Sequence, residues 1–390
     1  MITVEEAKVR TMGTARLTAA VKVPLVQAVG HYLARTVTAP HDHPLFNCSA
    51  MDGYAFAFTE APGRLSVVGE VAAGAVFPRA LGPGECVRIF TGGMMPDGAD
   101  TVVMQELVQR EGDAITYDDP KLVRGGHVRR KGEQLRARST AVKAGTLLDA
   151  PAIGLLASVG VKEVEVRRRP RVAILVSGDE FAEGDAPQPG KIFGSNGVML
   201  QAALASAGIP AEMRHVADDR GALAAAWQAA RAEHDVIICT GGVSVGAYDL
   251  VPASLQSLGA SIHIHGVLQK PGKPMLFGSW EGRSVFGLPG NPRAVMILFW
   301  EYVLPHLRGL QGATHPWMPA DRLPLAHGVQ LKGKRAEFRA ARVEHGRVEL
   351  LADEGSHMLR SLVEARAIAY FPADRRQFAE GHEVEVHFRD

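Results

Sequence analysis

Three glycine-rich turns crowd the stretch from Asp235 to Arg293, and their residue types suit one kind of chemistry. The first is Thr240-Gly241-Gly242-Val243-Ser244-Val245-Gly246, followed by Asp249. The second is Lys270-Pro271-Gly272-Lys273-Pro274, and the third is Gly287-Leu288-Pro289-Gly290-Asn291-Pro292. Glycine lets the backbone approach a phosphate closely, and the bared amides hydrogen-bond its oxygens. Such charge-assisted bonds are worth roughly 1.5–3 kcal/mol each. Lys270 and Lys273 flank a rigid Pro-Gly and add positive charge. A lysine about 4 Å from an anion contributes roughly 4 kcal/mol at an effective dielectric near ~20. Any one of these turns alone is more often plain turn chemistry. The three together, with an acid and two lysines, read as a site for a phosphorylated or oxyanionic ligand.

Acidic residues stand close to these turns. Asp179 and Glu180 follow a strand end, where paired carboxylates can hold Mg²⁺ or simply cap and solvate a helix start. Asp249 comes seven residues after Gly242, within reach of a bound phosphate, and is the better metal candidate. Asp52 precedes a glycine and Thr91 lies in a loop; by residue type alone both are turn residues. His263 and His265 alternate along a strand, and His41 and His43 share that spacing. Two ligands without a third make a poor metal site. Arg167-Arg168-Arg169 reads as a solvated strand end.

The elements that must position these residues follow from patterning. Thr3-Val4-Glu5-Glu6 has the form of a capping box, and helical pattern is expected on to about Arg35, with a fresh start at Pro24. From His41 to Arg138 glycine and proline punctuate short alternating runs such as Cys86-Val87-Arg88-Ile89-Phe90, a β-rich insert. From Pro170 strand and helix alternate. Arg171 to Val176 is a strand, Asn196 to Ala207 a helix stopped by Gly208, Leu223 to Ala232 a helix, Val236 to Cys239 a strand, and Ala294 to Leu304 a helix. That succession predicts a doubly wound α/β sheet, whose strand ends at the carboxyl edge are where such sheets bind ligands. Pro316-Trp317-Met318-Pro319 marks a linker into a last β domain ending in Val384-Glu385-Val386-His387-Phe388. The expected organisation is therefore α/β and multidomain. An elongated N-terminal domain takes residues 1–40 and 141–169, a β-rich insert 41–140, an α/β domain 170–314 and a small C-terminal β domain 315–390.

Composition narrows the class. A chain of 390 residues with net charge +1 gives no general case for nucleic-acid or membrane binding. The hydrophobic content of 46% supports a real core. No apolar run reaches the ~18 residues of a membrane span, and the N-terminus lacks a secretory pattern. Cys48, Cys86 and Cys239 are odd in number and widely spaced, against a disulfide framework. The cytoplasm fits these features.

Several motifs together resemble the molybdopterin molybdenumtransferase family, bacterial MoeA and the E domain of gephyrin. They are Ser49-Ala50-Met51-Asp52-Gly53-Tyr54-Ala55, Thr91-Gly92-Gly93 with Pro96 and Gly98-Ala99-Asp100, and the three turns. The resemblance covers most of the chain. It implies a homodimeric cytoplasmic enzyme that inserts molybdate into adenylylated molybdopterin and releases AMP, working after a molybdopterin adenylyltransferase. It places Asp52 and Thr91, with Ser49, in a cleft completed by the insert of the opposite subunit. It puts Asp179 and Glu180 at the border of the nucleotide and metal region; the expected Mg²⁺ ligands are Asp179 and Asp249, the latter for its place after the first turn, where it would position the ion on the pyrophosphate. Thr240, Gly241, Gly242, Ser244, Ser195 and Asn196 become substrate contacts. Molybdate falls to Lys270, Gly272, Lys273, Pro274, Pro289, Gly290 and Asn291.

The chain also departs from the family pattern. Gln134 stands where an acid is usual and Gly194 where an aspartate is common. Arg293-Ala294 replaces Val-Ser. Arg339 lies one position early, with Ala340 after it, and Arg360 stands where serine is frequent. Lost hydroxyls weaken an oxyanion pocket, and added arginines could restore its charge. Two alternatives follow: a divergent, non-catalytic pterin-binding paralogue or scaffold, and an adenylyltransferase of molybdopterin. The long insert and the C-terminal domain count against the latter.

Overall fold

The computed structural model describes residues 1–60, 63–178, 180–182, 184, 186–242, 250–352, 355 and 357–389. Asp179, Ser244 and Asp249 lie outside the described residues. Helix α1 (Val4–Gly13) starts at a reciprocal cap: the Glu6 amide donates to Thr3 Oγ1 at 3.2 Å and the Thr3 amide to Glu6 Oε2 at 3.0 Å. The helical pattern expected to continue towards Arg35 does not. Ala20–Pro24 is a strand, β1, paired antiparallel with Glu163–Arg167, Val23 opposite Val164. Val23 packs on the buried Leu25, Leu33, Val164 and Val166, so the β-branched alternation of Val21 and Val23 outweighs helix propensity there.

The insert contains β2 (Gly53–Phe56), β3 (Leu65–Val71), β4 (Glu85–Ile89), β5 (Thr101–Met104), β6 (Val108–Glu111) and β7 (Ala114–Tyr117) in one sheet of order β5-β2-β4-β3-β7-β6. Alternate residues go to opposite faces: Tyr54, Phe56, Cys86 and Val103 to one core, Ala55, Val87, Ile89 and Val102 to another. The chain then returns through α2 (Ala150–Ser158) to β8 (Glu163–Arg167), the partner of β1.

The α/β unit follows: β9 (Val172–Ser177), α3 (Asn196–Ser206), β10 (Ala211–Val216), α4 (Arg220–Glu233), β11 (Val236–Thr240), α5 (Leu250–Ser257), β12 (Ser261–His265), β13 (Gln269–Lys270), β14 (Leu276–Trp280), β15 (Arg283–Leu288) and α6 (Pro292–Leu298). The sheet order is β10-β9-β11-β15-β14-β12, parallel through β15, with β14 antiparallel to both neighbours. β9 and β11 are unbroken apolar runs because both faces are covered. Ile174, Val176 and Ile238 pack on one side, Ala173, Leu175, Ile237 and Cys239 on the other. The helix expected to stop near Leu304 continues through a π-type turn at Phe299–Val303 into α7 (Leu304–Leu310).

The C-terminal unit has β16 (Ala320–Pro324), β17 (Ala336–Glu344), β18 (Arg347–Leu350), α8 (Arg360–Glu364), β19 (Ala367–Phe371) and β20 (Glu383–Phe388). Its sheet has the order β13-β17-β19-β20-β16, with β18 on β17, so its first strand is borrowed from the α/β unit. Phe338, Ala340 and Ile368 extend the α/β core, while Ala369, Phe371 and Val386 build a second one. The basic run is not a solvated strand end. Arg167 donates to Thr18 O at 2.9 Å, and Arg168 makes a fork of 2.9 and 3.0 Å bonds to Asp235. Arg169 Nη2 lies 3.4 Å from Gly30 O. All three are half-buried. The Arg168 fork fastens the N-terminal unit to the sheet through Asp235, while Arg167 and Arg169 tie segments of the N-terminal unit to one another.

Candidate active site

The carboxyl ends of β9, β11 and β15 are adjacent, and their loops are stitched together. The Gly241 amide donates to Leu288 O at 3.1 Å. Thr240, buried at the end of β11, gives its hydroxyl hydrogen to Pro289 O at 3.3 Å. Asn196, the first residue of α3, supplies the crosslink: its Nδ2 donates to Thr240 Oγ1 at 3.0 Å and to Gly290 O at 2.8 Å. The turns near residues 240 and 290 therefore share one network, joined by a helix start. Gly290 and Asn291 are exposed beside it. Gly241 has φ +95°, and a Cβ there would meet Ser177 O at 2.4 Å, so the close approach of β9 and β11 requires glycine.

The lysine turn lies at the same edge of the sheet, because β12 leaves and β14 enters there. Its anchors, however, run elsewhere. β13 pairs in parallel with β17, Gln269 opposite Ala336 and Lys270 opposite Glu337. Gln269 Nε2 donates to Pro271 O at 2.8 Å, Tyr302 donates its hydroxyl hydrogen to Gln269 Oε1, and Arg335 reaches Gln269 O at 3.2 Å. Gly272 is buried where a Cβ would meet Leu298 Cγ at 2.8 Å, at the far end of α6. The turn is thus held by α6 and the C-terminal sheet, not by the other two turns. Lys270 and Lys273 are both exposed and pair with no described carboxylate. Glu337 is engaged instead by Arg339 at 3.1 Å. Pro274 is half-buried behind them, and Ser195 precedes α3 without a side-chain cap bond.

Asp52, Thr91 and Ser49 meet within the insert. The Thr91 amide and hydroxyl both donate to Asp52 Oδ1 at 2.8 Å, while Ser49 exchanges backbone bonds with Gly92 and Gly93 at 2.8 and 2.9 Å. The Thr91 amide, then its hydroxyl, and then the Arg88 charge hold the Asp52 carboxyl below its usual range. It stays ionised, suited to hold a cation or orient water, not to donate a proton. None of these bonds reaches the α/β unit of the same chain.

One residue at the carboxyl edge was not legible in the sequence. Asp218 is the one missed: it accepts the Ser177 hydroxyl beside Gly178. Glu180, already a candidate from the sequence, has its carboxylate against the same Gly178. The adjacent acids Asp218-Asp219 after β10 were the available signal; Asp219 is the cap of α4. The buried Oδ1 of Asn196 has no hydrogen-bond partner among the described residues.

The other candidates resolve into structure. His263 pairs with Ser279 Oγ at 2.8 Å, and a register shift between Ile262 and Ile264 disturbs the alternation that would align it with His265. Arg293 is buried and donates to Ser361 Oγ. Arg360 is exposed and faces Glu364 at 3.5 Å. Ala294 and Ala340 are buried in packing, the Gln134 backbone N–H donates to His43 O at 3.1 Å, and Gly194 abuts Phe181.

Comparison with known proteins agrees along the chain. Residues 2–160 match the model of the MoeA N-terminal region (domain I and II). Residues 173–309 match a "probable molybdopterin binding domain" and 322–388 the MoeA C-terminal region (domain IV). A molybdopterin molybdenumtransferase of Nostoc sp. is 38% identical over 383 residues, covering 93% of this chain and 87% of the relative. Molybdopterin molybdenumtransferase 2 of Mycobacterium tuberculosis is 33% identical, with 94% of each chain covered. Among solved structures, the molybdopterin biosynthesis moeA protein of Pyrococcus horikoshii OT3 superposes with a TM-score of 0.87 at 28% identity, covering 100% of both chains. With three consecutive domain matches and full-length relatives of this similarity, the chain belongs to the MoeA family of molybdopterin molybdenumtransferases.

Proposed function

We propose that this protein inserts molybdate into adenylylated molybdopterin and releases AMP in a Mg²⁺-dependent reaction. Membership of the family makes it a transferase of molybdenum cofactor biosynthesis. The observation that carries the finer reading is the Asn196 crosslink between Thr240 and Gly290, which fixes two glycine turns side by side at the carboxyl edge. In this reading Thr240, Gly241, Gly242 and Ser244 receive the phosphates of the pterin, with Ser195 and Asn196 at their flank. The ammonium groups of Lys270 and Lys273, with Gly272, Pro274, Pro289, Gly290 and Asn291, receive the dianion.

Oxygen ligands dominate this edge: Glu180, Asp218 and the Asn196 Oδ1, which has no partner among the described residues. That chemistry fits Mg²⁺, a hard cation, and Asp179 and Asp249 would hold it. When bound, the ion supplies neutralisation of the charge that builds on the departing AMP. The partner subunit's Asp52, with Thr91 and Ser49 of the partner subunit, would close the cleft, which makes the working unit a homodimer. A molybdopterin adenylyltransferase supplies the substrate in the cytoplasm. Among the described residues no helix is long and apolar enough to cross a membrane.

The test is AMP release from adenylylated molybdopterin with Mg²⁺ and molybdate. Wild-type protein should release AMP, and Asp249→Asn should lower the rate at least ~10²-fold with folding intact, the scale of a lost transition-state contact. Tight pterin binding with no AMP formed would replace this reading with a non-catalytic binding role.

A further inference from the structure

Three ligand-type side chains meet at the edge of the sheet opposite the glycine turns. Glu212 is the second residue of β10, Glu233 is the last of α4, and His234 follows it. One ligand atom from each lies within 4.8 Å of the other two. His234 is 6% exposed, whereas both carboxylates face solvent. The imidazole Nδ1 sits 3.1 Å from Ala230 O. A carbonyl oxygen only accepts, so Nδ1 carries hydrogen and Nε2 of the neutral ring is a bare lone pair. That nitrogen faces Glu212 Oε2 at 3.4 Å. Two acceptors so placed repel one another unless a proton or a cation lies between them.

The geometry favours a metal ion. In a tetrahedral zinc site with bonds of ~2.0–2.1 Å, neighbouring ligand atoms stand about 3.3 Å apart. A ring whose other nitrogen is fixed by a carbonyl is the usual arrangement of a metal-binding histidine. The C-terminus of α4 carries partial negative charge, which suits a cation. Arg214 is the competing charge. Its Nε donates to the other oxygen of Glu212, Oε1, at 2.6 Å, and its Nη2 lies 3.6 Å from Glu233 Oε2. It therefore orients Glu212 and leaves Oε2 towards the ring. We propose that Glu212, Glu233 and His234 bind a divalent cation of the zinc class, which ties the end of α4 to the start of β10.

The test uses full-length, tag-free protein stripped with a chelator. Zn²⁺ is titrated by calorimetry, Co²⁺ by visible absorption, and thermal melting is followed with and without Zn²⁺. The expected result is a saturable site with a low-symmetry Co²⁺ spectrum and a melting midpoint raised by about 2 °C or more at saturation. His234→Ala should weaken binding at least ~10-fold and abolish the Co²⁺ bands. Glu233→Gln, on an exposed side chain, should weaken it without disturbing the core, and Arg214→Gln should keep it. No binding by the wild type, or isotherms and spectra unchanged in both His234→Ala and Glu233→Gln, would overturn the proposal and leave a ring proton as the bridge.

Discussion

Asn196 does more than its place at a helix start suggests. Its two amide hydrogens span from β11 to the turn after β15, and no sequence separation hints at that: its partners are Thr240 and Gly290. Asn196→Ala should lose both bonds and cost about 1–3 kcal/mol in urea unfolding, because Gly290 O and the Thr240 hydroxyl lose a donor. AMP release should fall at least ~10-fold as the two turns drift apart. Asn196→Asp is the sharper control. It keeps the shape but sets carboxylate oxygen against carbonyl oxygen, and should be no more stable than the alanine variant. Wild-type stability in both variants would show that the crosslink positions nothing.

Among the elements, the meeting of β9 and β11 sets the geometry of the edge. Gly241 stands where these strands end, with its missing Cβ aimed at Ser177 O. Gly241→Ala combines a positive φ with a contact that backbone cannot relieve, and should cost about 2–4 kcal/mol. Gly242 has φ +61°, but among the described residues the first atom a Cβ there would meet is on the Val251 side chain, at 3.4 Å. Gly242→Ala should therefore cost only about 1 kcal/mol. Denaturant midpoints for the pair check this ordering; equal losses would show that the turn gives way as a unit.

For the whole molecule, one buried ionic cluster couples three distant segments. Lys8 on α1 meets Glu301 in the π-type turn at 2.8 Å, and His387 on β20 meets Glu301 at 2.6 Å and Glu385 at 2.8 Å. Burial disfavours the imidazolium, but the bonds to Glu301 and Glu385 outweigh it and raise the His387 pKa to about 9. Because the folded value lies above the ordinary 6.5, this stabilisation is complete below about pH 6.5 and lost as pH rises through about 9. The expected loss is about 3 kcal/mol across that window. Wild-type thermal midpoints should fall between pH 6 and pH 9.5, and His387→Gln should be less stable at pH 6 with a flatter profile. Parallel profiles would remove His387 from the pH response.

The sequence by itself determined the local and strongly patterned features. These are the capping box at Thr3, the apolar strands β9 and β11, the helix α3 ended by Gly208, and motifs specific enough to resemble the family to which the chain belongs. Such features survive in sequence because each is written within a few residues, by periodicity, capping or glycine. Tertiary structure alone decided the rest. Val21 and Val23 became strand because β8 was there to pair with them. The lysine turn went to the C-terminal sheet because β13 found β17. Arg168 became a fastener between units because Asp235 awaited it, Arg167 and Arg169 found carbonyls within the N-terminal unit, and Glu301 is tolerated in the core because Lys8 and His387 converge on it. Each of these outcomes depends on a partner tens or hundreds of residues away, whose position is fixed only when the apolar faces close and water leaves.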